Sequence, residues 1–270
     1  MRLDGGNETG KETALERDLH DHGHEHVHAD GTRHSHAHDD DHAHSHGSAT
    51  NDVVQLETRI LAKNEALAAR NRAWFDGREI LALNLVSSPG AGKTTLLERP
   101  IRDLKHELRL FVIEGDQATS HDGERIRAAG AAAVQVNTGA GCHLEADMVA
   151  RGLKELKPDF GSIVMIENVG NLVCPALFDL GERAKVIIFS VTEGEDKPLK
   201  YPRMFKAADI MILNTIDLLP HLDFDVERAV ASAVQVNPGV TIFRLSARTG
   251  DGMEAWYDWV RGQSAIAREP

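Results

Sequence analysis

The segment LVSSPGAGKTTL, residues 85–96, follows an apolar run of strand length and opens a run of helix formers. That context suits a turn that wraps phosphate oxygens in backbone N–H groups. Gly90 and Gly92, with Ala91 between them, permit the inward turn, and Lys93 has the reach to touch β- and γ-phosphates. The Thr94 hydroxyl can ligate Mg²⁺, and Thr95 completes the loop. The pattern G-x-x-x-x-G-K-[ST] has glycine where Ser87 stands, a departure outside the more tightly constrained positions. Two later strand ends carry acids. In VMIENVG a buried strand ends with Glu167, a candidate magnesium ligand, followed by Gly170, whose N–H can sense a γ-phosphate. VIEGDQAT places Asp116 at the end of another strand, a second candidate for the metal or for orienting an attacking water. An acid at a strand end is often only a turn former. Several such features at the carboxyl edge of one sheet point to a ligand instead.

Base recognition is carried by two weaker elements. ILNTIDLL is similar to the N-K-x-D signature that reads guanine, with Asp217 accepting from the base and Asn214 tying the loop together. The lysine of that signature is Thr215 here, so the alkyl stem that packs on the base is missing. RLSARTG is similar to the S-A-K element, in which Ser246 and Ala247 present backbone to the guanine O6. Their order after the phosphate loop favours GTP over ATP.

Soft donors form a second constellation. Cys142 and His143 stand together in NTGAGCHLEAD, and Cys174 follows Gly170 by four residues in ENVGNLVCPA. Free cysteines are commonly inert small hydrophobes. A thiolate beside an imidazole, with a second thiol on the phosphate-sensing segment, suits Ni²⁺ or Zn²⁺ instead. Three ligands leave the shell incomplete, and a two-fold homodimer could complete it.

The third feature is LHDHGHEHVHADGTRHSHAHDDDHAHSHG, residues 19–47. It holds eleven of the chain's 15 histidines: His20, His22, His24, His26, His28, His34, His36, His38, His42, His44 and His46. An expression tag is usually an uninterrupted terminal run, whereas these alternate with small and acidic residues. Neutral imidazoles on a loose chain make many weak sites for nickel, and for zinc, copper or cobalt too, because such a chain cannot enforce geometry.

The elements that must position these groups follow from periodicity. Residues 1–50 carry few large apolar groups and are expected to be a disordered metal-binding tail. From residue 51 to 270 an α/β domain is expected, opening with an amphipathic helix that presents Val53, Leu56, Ile60, Leu67 and Trp74. Near-continuous apolar runs then alternate with helical segments. They predict a P-loop NTPase fold, a mostly parallel sheet buried by helices on both faces. Helices are expected after Lys93 and around 122–129, 144–156, 201–207, 224–236 and 252–262; Pro100 should kink or shorten the first.

A formal net charge of −12 over 270 residues argues against nucleic acid as a partner, although the first 50 residues supply −7 of it. No apolar run reaches the roughly 18–20 residues that span a bilayer, so no membrane insertion is expected. The opening MRLDGGNETG lacks the apolar core of a leader, and two cysteines do not make a disulfide framework, so a reduced cytoplasmic setting is expected.

From about Val53 onward the chain resembles the HypB GTPases that assist nickel insertion into nickel–iron hydrogenases. The resemblance rests on LNLVSSPGAGKTTLL, VIEGDQAT, NTGAGCHL, IENVGNLVCPA and VTEGEDKPLKYP. It implies slow, Mg²⁺-dependent GTP hydrolysis and a nucleotide-dependent homodimer. Cys142, His143 and Cys174 would form a nickel or zinc site near the dimer interface, and Lys197 would contact nucleotide or partner. A nickel-delivery partner chaperone and the hydrogenase large subunit are the implied partners. Hydrolysis would release Gly170, relax residues 167–174 and pass the metal on. Some members bind nickel through an N-terminal cysteine motif; here no cysteine precedes Cys142, and a histidine-rich tail of the kind associated with nickel storage stands instead. Two alternatives remain. A urease-type nickel GTPase usually has Cys-Pro-His at its metal motif, and a nickel reservoir with decayed GTPase machinery would be consistent with Thr215.

Overall fold

A computed structural model describes residues 25–27, 33–35, 46–115, 120–139 and 141–268. The contacts divide the chain into two units, Met1–Thr50 and Asn51–Pro270. In the first, strands β1 (Glu25–Val27) and β2 (Arg33–Ser35) pair antiparallel, with His26 opposite His34. The expected lack of order across residues 1–50 falls mostly outside the described residues.

The second unit is built on a seven-stranded parallel sheet: β3 (Leu81–Ser87), β4 (Leu110–Glu114), β5 (Ala132–Gln135), β6 (Ile163–Glu167), β7 (Ala184–Ser190), β8 (Ile210–Asn214) and β9 (Thr241–Arg244). Their spatial order is β5-β4-β6-β3-β7-β8-β9. The order reverses direction around β3, and ligands of such sheets gather at the carboxyl ends beside that switch. Strands β3, β6, β7 and β8 are buried along their whole length, as continuous apolar runs require. The edges β5 and β9 are partly exposed.

Alternate residues of each strand serve opposite faces. Leu81, Leu83 and Leu85 join a core with helices α2 (Lys93–Leu104), α3 (Ser120–Ala129) and α8 (Met253–Ile266). On the other face, Ala82 packs with Phe75 of α1 (His46–Asp76) and with α4 (Ala146–Leu156). On that same face Val86 packs with α6 (Pro202–Ala207) and α7 (Val226–Val236). The short α5 (Lys197–Lys200) precedes α6. Every expected strand and helix is present.

Two local expectations need correction. Helix α2 runs four residues beyond Pro100, which is itself buried in the core-facing stripe, so of the two expected effects the proline does not cut the helix short. The buried stripe of α1 is Asn64, Ala68, Asn71 and Phe75, at spacings of four, three and four, while Leu56 and Ile60 are exposed. The side chain of Val53 is outside the described residues, and Leu67 and Trp74 flank the stripe half-buried. Hydrogen bonding explains the swap. Asn64 donates to Asp179 O (2.7 Å) and accepts from Ala146 N (2.8 Å); Asn71 donates to Ala146 O (2.7 Å) and Leu180 O (3.0 Å). The two amides satisfy backbone groups that hydrophobic side chains could not.

Candidate functional site

The phosphate loop turns between β3 and α2. Gly90 and Gly92 take φ of 79° and 85°, in the left-handed region open to glycine. A Cβ at Gly92 would also lie 2.6 Å from Asn214 Nδ2, so the position excludes any side chain twice over. The loop lines a cleft of about 440 Å³, shared with Lys93, Thr94, Thr95, Val169 and Gly170. Gly170 presses on the loop so closely that a Cβ there would sit 3.2 Å from Pro89 Cγ.

Lys93 donates to Asn168 O (2.5 Å) and lies 3.4 Å from Glu167 Oε1. Thr94 Oγ1 donates to that same carboxylate oxygen at 3.0 Å. Burial pushes the Glu167 carboxyl above the usual carboxylate range, opposed in part by Lys93 and Thr94. Glu167 Oε2 is buried without a hydrogen-bond partner among the described residues. A hydroxyl and a carboxylate with a spare oxygen, beside the phosphate loop, fit a hard cation that takes oxygen ligands. Asp116, the other proposed ligand, lies outside the described residues. Asp122 and Arg125 of α3 also line the cleft, and Arg125 is held by Glu98 (2.7 Å) and Asp122 (3.4 Å). No motif marks either residue, because charged residues on an amphipathic helix look like a solvated face.

The elements expected to read the base lie together. Asn214, 1% exposed, donates to Ala91 O (3.0 Å) and accepts from Ala247 N (3.1 Å), lacing the phosphate loop to the segment after β9. Ser246 Oγ donates to Asp217 Oδ1 (2.5 Å), fixing the carboxylate expected to accept from guanine. Thr215 has φ of 62°, a strained value for a β-branched residue. Its hydroxyl bonds Asn214 O (2.6 Å) and Ser190 Oγ (2.7 Å). Thr215 therefore braces the loop from within.

The soft donors also converge. Cys142, His143 and Cys174 offer ligand atoms that all lie within 4.8 Å of one another. The two sulfurs are 2.7 Å apart, and Cys142 Sγ is 3.7 Å from His143 Nδ1. Cys142 precedes α4 in the chain; Cys174 opens a 3₁₀ turn, Cys174–Ala176, after β6. The His143 ring lies on Phe178, centroids 3.9 Å apart, and burial lowers its pKa, favouring the neutral imidazole that binds metal. The neighbouring Cys174 and burial push the Cys142 thiol up. A metal would have to displace that proton, because the thiolate is the ligand form. Asn171 donates to Cys142 O (3.2 Å), joining the two cysteine-bearing segments. Two sulfurs and one nitrogen fit a borderline ion of the nickel or zinc type, one donor short of four.

Of the tail histidines, His26 and His34 lie in the β1–β2 pair and His46 begins α1. His20, His22, His24, His28, His36, His38, His42 and His44 lie outside the described residues. Lys197, at the start of α5, bonds Glu193 Oε1 at 2.8 Å.

Residues 81–244 match the family model for the CobW/HypB/UreG nucleotide-binding domain. The hydrogenase maturation factor HypB of Rhizobium leguminosarum bv. viciae is 58% identical over 219 residues, spanning 81% of this chain and 73% of that one. The chain belongs to the HypB family. Among solved HypB structures, that from Archaeoglobus fulgidus is 38% identical with a TM-score of 0.71, covering 75% of this chain and 99% of its own. HypB from Helicobacter pylori, solved in complex with nickel, is 35% identical with a TM-score of 0.72, covering 77% and 98%. As a HypB-family chain, it carries the P-loop NTPase fold expected from its strand and helix alternation. Among the described residues, no helix is long and apolar enough to cross a membrane.

Proposed function

We propose that this chain is a GTP-hydrolysing nickel metallochaperone for maturation of nickel–iron hydrogenase, with its histidine-rich tail as a nickel store. The observation that carries the reading is the convergence of Cys142, His143 and Cys174 on the segment that also supplies Glu167 and Gly170 to the phosphate cleft. The relatives' names support the maturation role, and the nickel complex of the Helicobacter pylori relative supports the choice of cargo.

In this reading the phosphates of GTP lie in the cleft against the N–H groups of residues 90–95, with Lys93 on the β- and γ-oxygens. Thr94 and Glu167, with Asp116, would hold Mg²⁺, which neutralises charge on the phosphates. Asp217 and the backbone of Ser246 and Ala247 select guanine. Gly170, packed on Pro89, senses the γ-phosphate and carries the message along residues 170–174 to Cys174. Two chains together supply the donors that three side chains lack. After hydrolysis the segment relaxes and nickel passes toward the hydrogenase large subunit, with a nickel-delivery chaperone as a further partner. This is a phosphate-dependent ordering of a segment, a recurrent switching mode. The lacing of Asn214 and Asp217 favours a working guanine site over a decayed one.

The test is GTP hydrolysis and oligomeric state of the full chain, with and without Ni²⁺. The reading expects slow turnover, a dimer favoured by GTP over GDP, and turnover sensitive to nickel. Absence of GTP binding would overturn it in favour of a simple reservoir.

A further inference from the structure

One polar residue interrupts the apolar run of β3: Asn84, at 0% exposure, in the middle of the sheet. Asn168, Glu182 and Lys185 are buried beside it, the last two as an ion pair at 3.7 Å with side chains 6% and 9% exposed. A buried ion pair is weak evidence for stability, because apolar side chains of similar volume often serve as well or better. Four such residues in one place call for another role.

Their bonds trace a continuous path. Lys93 of the phosphate loop donates to Asn168 O at 2.5 Å. The Asn168 side chain then branches. Its Oδ1 accepts from Leu144 N (3.1 Å), next to His143, and its Nδ2 donates to Asn84 Oδ1 (3.2 Å). Asn84 Nδ2 donates to Glu182 Oε1 (2.9 Å), the oxygen that pairs with Lys185. Lys185 Nζ donates to Pro175 O (3.0 Å), next to Cys174, and to Phe178 O (3.2 Å). Phe178 is the ring on which His143 lies. Starting from one phosphate-binding ammonium, the path ends beside all of the imidazole, its aromatic support and one thiol.

We propose that the Asn168–Asn84–Glu182–Lys185 network links occupancy of the phosphate site to the geometry of the Cys142/His143/Cys174 cluster. It rests on the reading of the cluster as a nucleotide-responsive metal site. A phosphate oxygen competes with Asn168 O for the Lys93 ammonium. When that bond is drawn away, the Asn168 peptide shifts, and in a dry interior each partner must follow or lose a hydrogen bond. Leu144 and Pro175 therefore move together with the phosphate site, and the donors beside them change their spacing. Asn168 and Lys185 are positioning residues; neither is assigned a metal or nucleotide atom.

Coupling energy is the decisive quantity, because spatial continuity alone does not establish transmission. The experiment titrates the full chain with Ni²⁺, once with GDP and once with a non-hydrolysable GTP analogue. The readout is thiolate-to-nickel charge-transfer absorption, which the tail imidazoles do not give. In the wild type the two affinities should differ about tenfold or more, within the usual range of coupling. In Asn168→Ala, and in the double variant Glu182→Gln/Lys185→Met that leaves no buried charge unpaired, the ratio should fall about threefold or more, the remainder being carried along residues 170–174. A ratio retained in both folded variants overturns the network alone; a wild-type ratio of one overturns it together with the coupling reading. Should the variants not fold, wild-type amide exchange decides: protection of the Leu144 N–H must differ between GDP and the analogue, and equal protection overturns the proposal.

Discussion

Asn64→Ala tests how helix α1 holds the domain together. Ala146 opens α4, where the first backbone N–H groups have no acceptor within the helix, and the N-cap residue Glu145 supplies no side-chain bond. Asn64 Oδ1 accepts from that Ala146 N at 2.8 Å, so α4 is capped from a different helix. The same side chain donates to Asp179 O at 2.7 Å, and it is 5% exposed, so water does not readily replace it. Losing a cap costs about 0.5–2 kcal/mol, and orphaning a buried carbonyl costs about 1–3 kcal/mol. The sum expected for Asn64→Ala is about 1.5–5 kcal/mol. For a domain of this size that lowers Tm by roughly 3–20 °C. Urea and thermal unfolding measure it, with exposed Glu65→Ala on the same helix as the control, expected within about 0.5 kcal/mol of wild type. If Asn64→Ala unfolds with the control, α1 does not cap α4 and the account of its buried stripe is wrong.

Gly170→Ala places a Cβ against Pro89 and should weaken nucleotide affinity about tenfold, roughly 1.4 kcal/mol, read by fluorescent GDP titration; unchanged affinity would mean the two segments separate freely. Asp217→Asn replaces a pure acceptor with a group that also donates. It should lower GDP affinity about tenfold or more and favour xanthine nucleotides, whose C2 carbonyl accepts, and equal affinities would remove Asp217 from base reading. Glu167→Gln should abolish hydrolysis yet flatten the pH profile of stability without ligands. Burial raises the Glu167 pKa in the folded chain, so the native state holds its proton longer than the unfolded one, and stability falls as pH rises from the ordinary carboxylate range through the raised value. Urea midpoints at about pH 5 and about pH 7.5 should therefore differ less in the variant; an equal slope would contradict the shift.

How much of this the sequence disclosed depends on where each signal lay along the chain. The phosphate loop, Glu167, Asn214 and Asp217 were legible because each stands at a fixed offset from an apolar run, and parallel strands carry such residues to one edge. The Cys142–His143 pair was legible by chemistry, and its distance to Cys174 by the phosphate segment between them. The face of α1 was not. Periodicity counts apolar residues, and this helix buries two asparagines whose value depends on partners 75 to 115 residues away. Asn84, Glu182 and Lys185 escaped for the same reason, since their bonds become visible only when β3 and β7 lie side by side. The strain at Thr215 was also invisible, because one substitution in a motif reads as a loss until the hydroxyl's two new bonds are known.

The central claim is that nucleotide state and the cysteine site are one switch. The most direct measurement follows thiolate-to-nickel absorption and phosphate release together, during a single turnover of GTP by the nickel-loaded full chain. The absorption should change with the same rate constant as phosphate release, and stay constant in Lys93→Ala. A spectrum that remains fixed while GTP is consumed would contradict the claim.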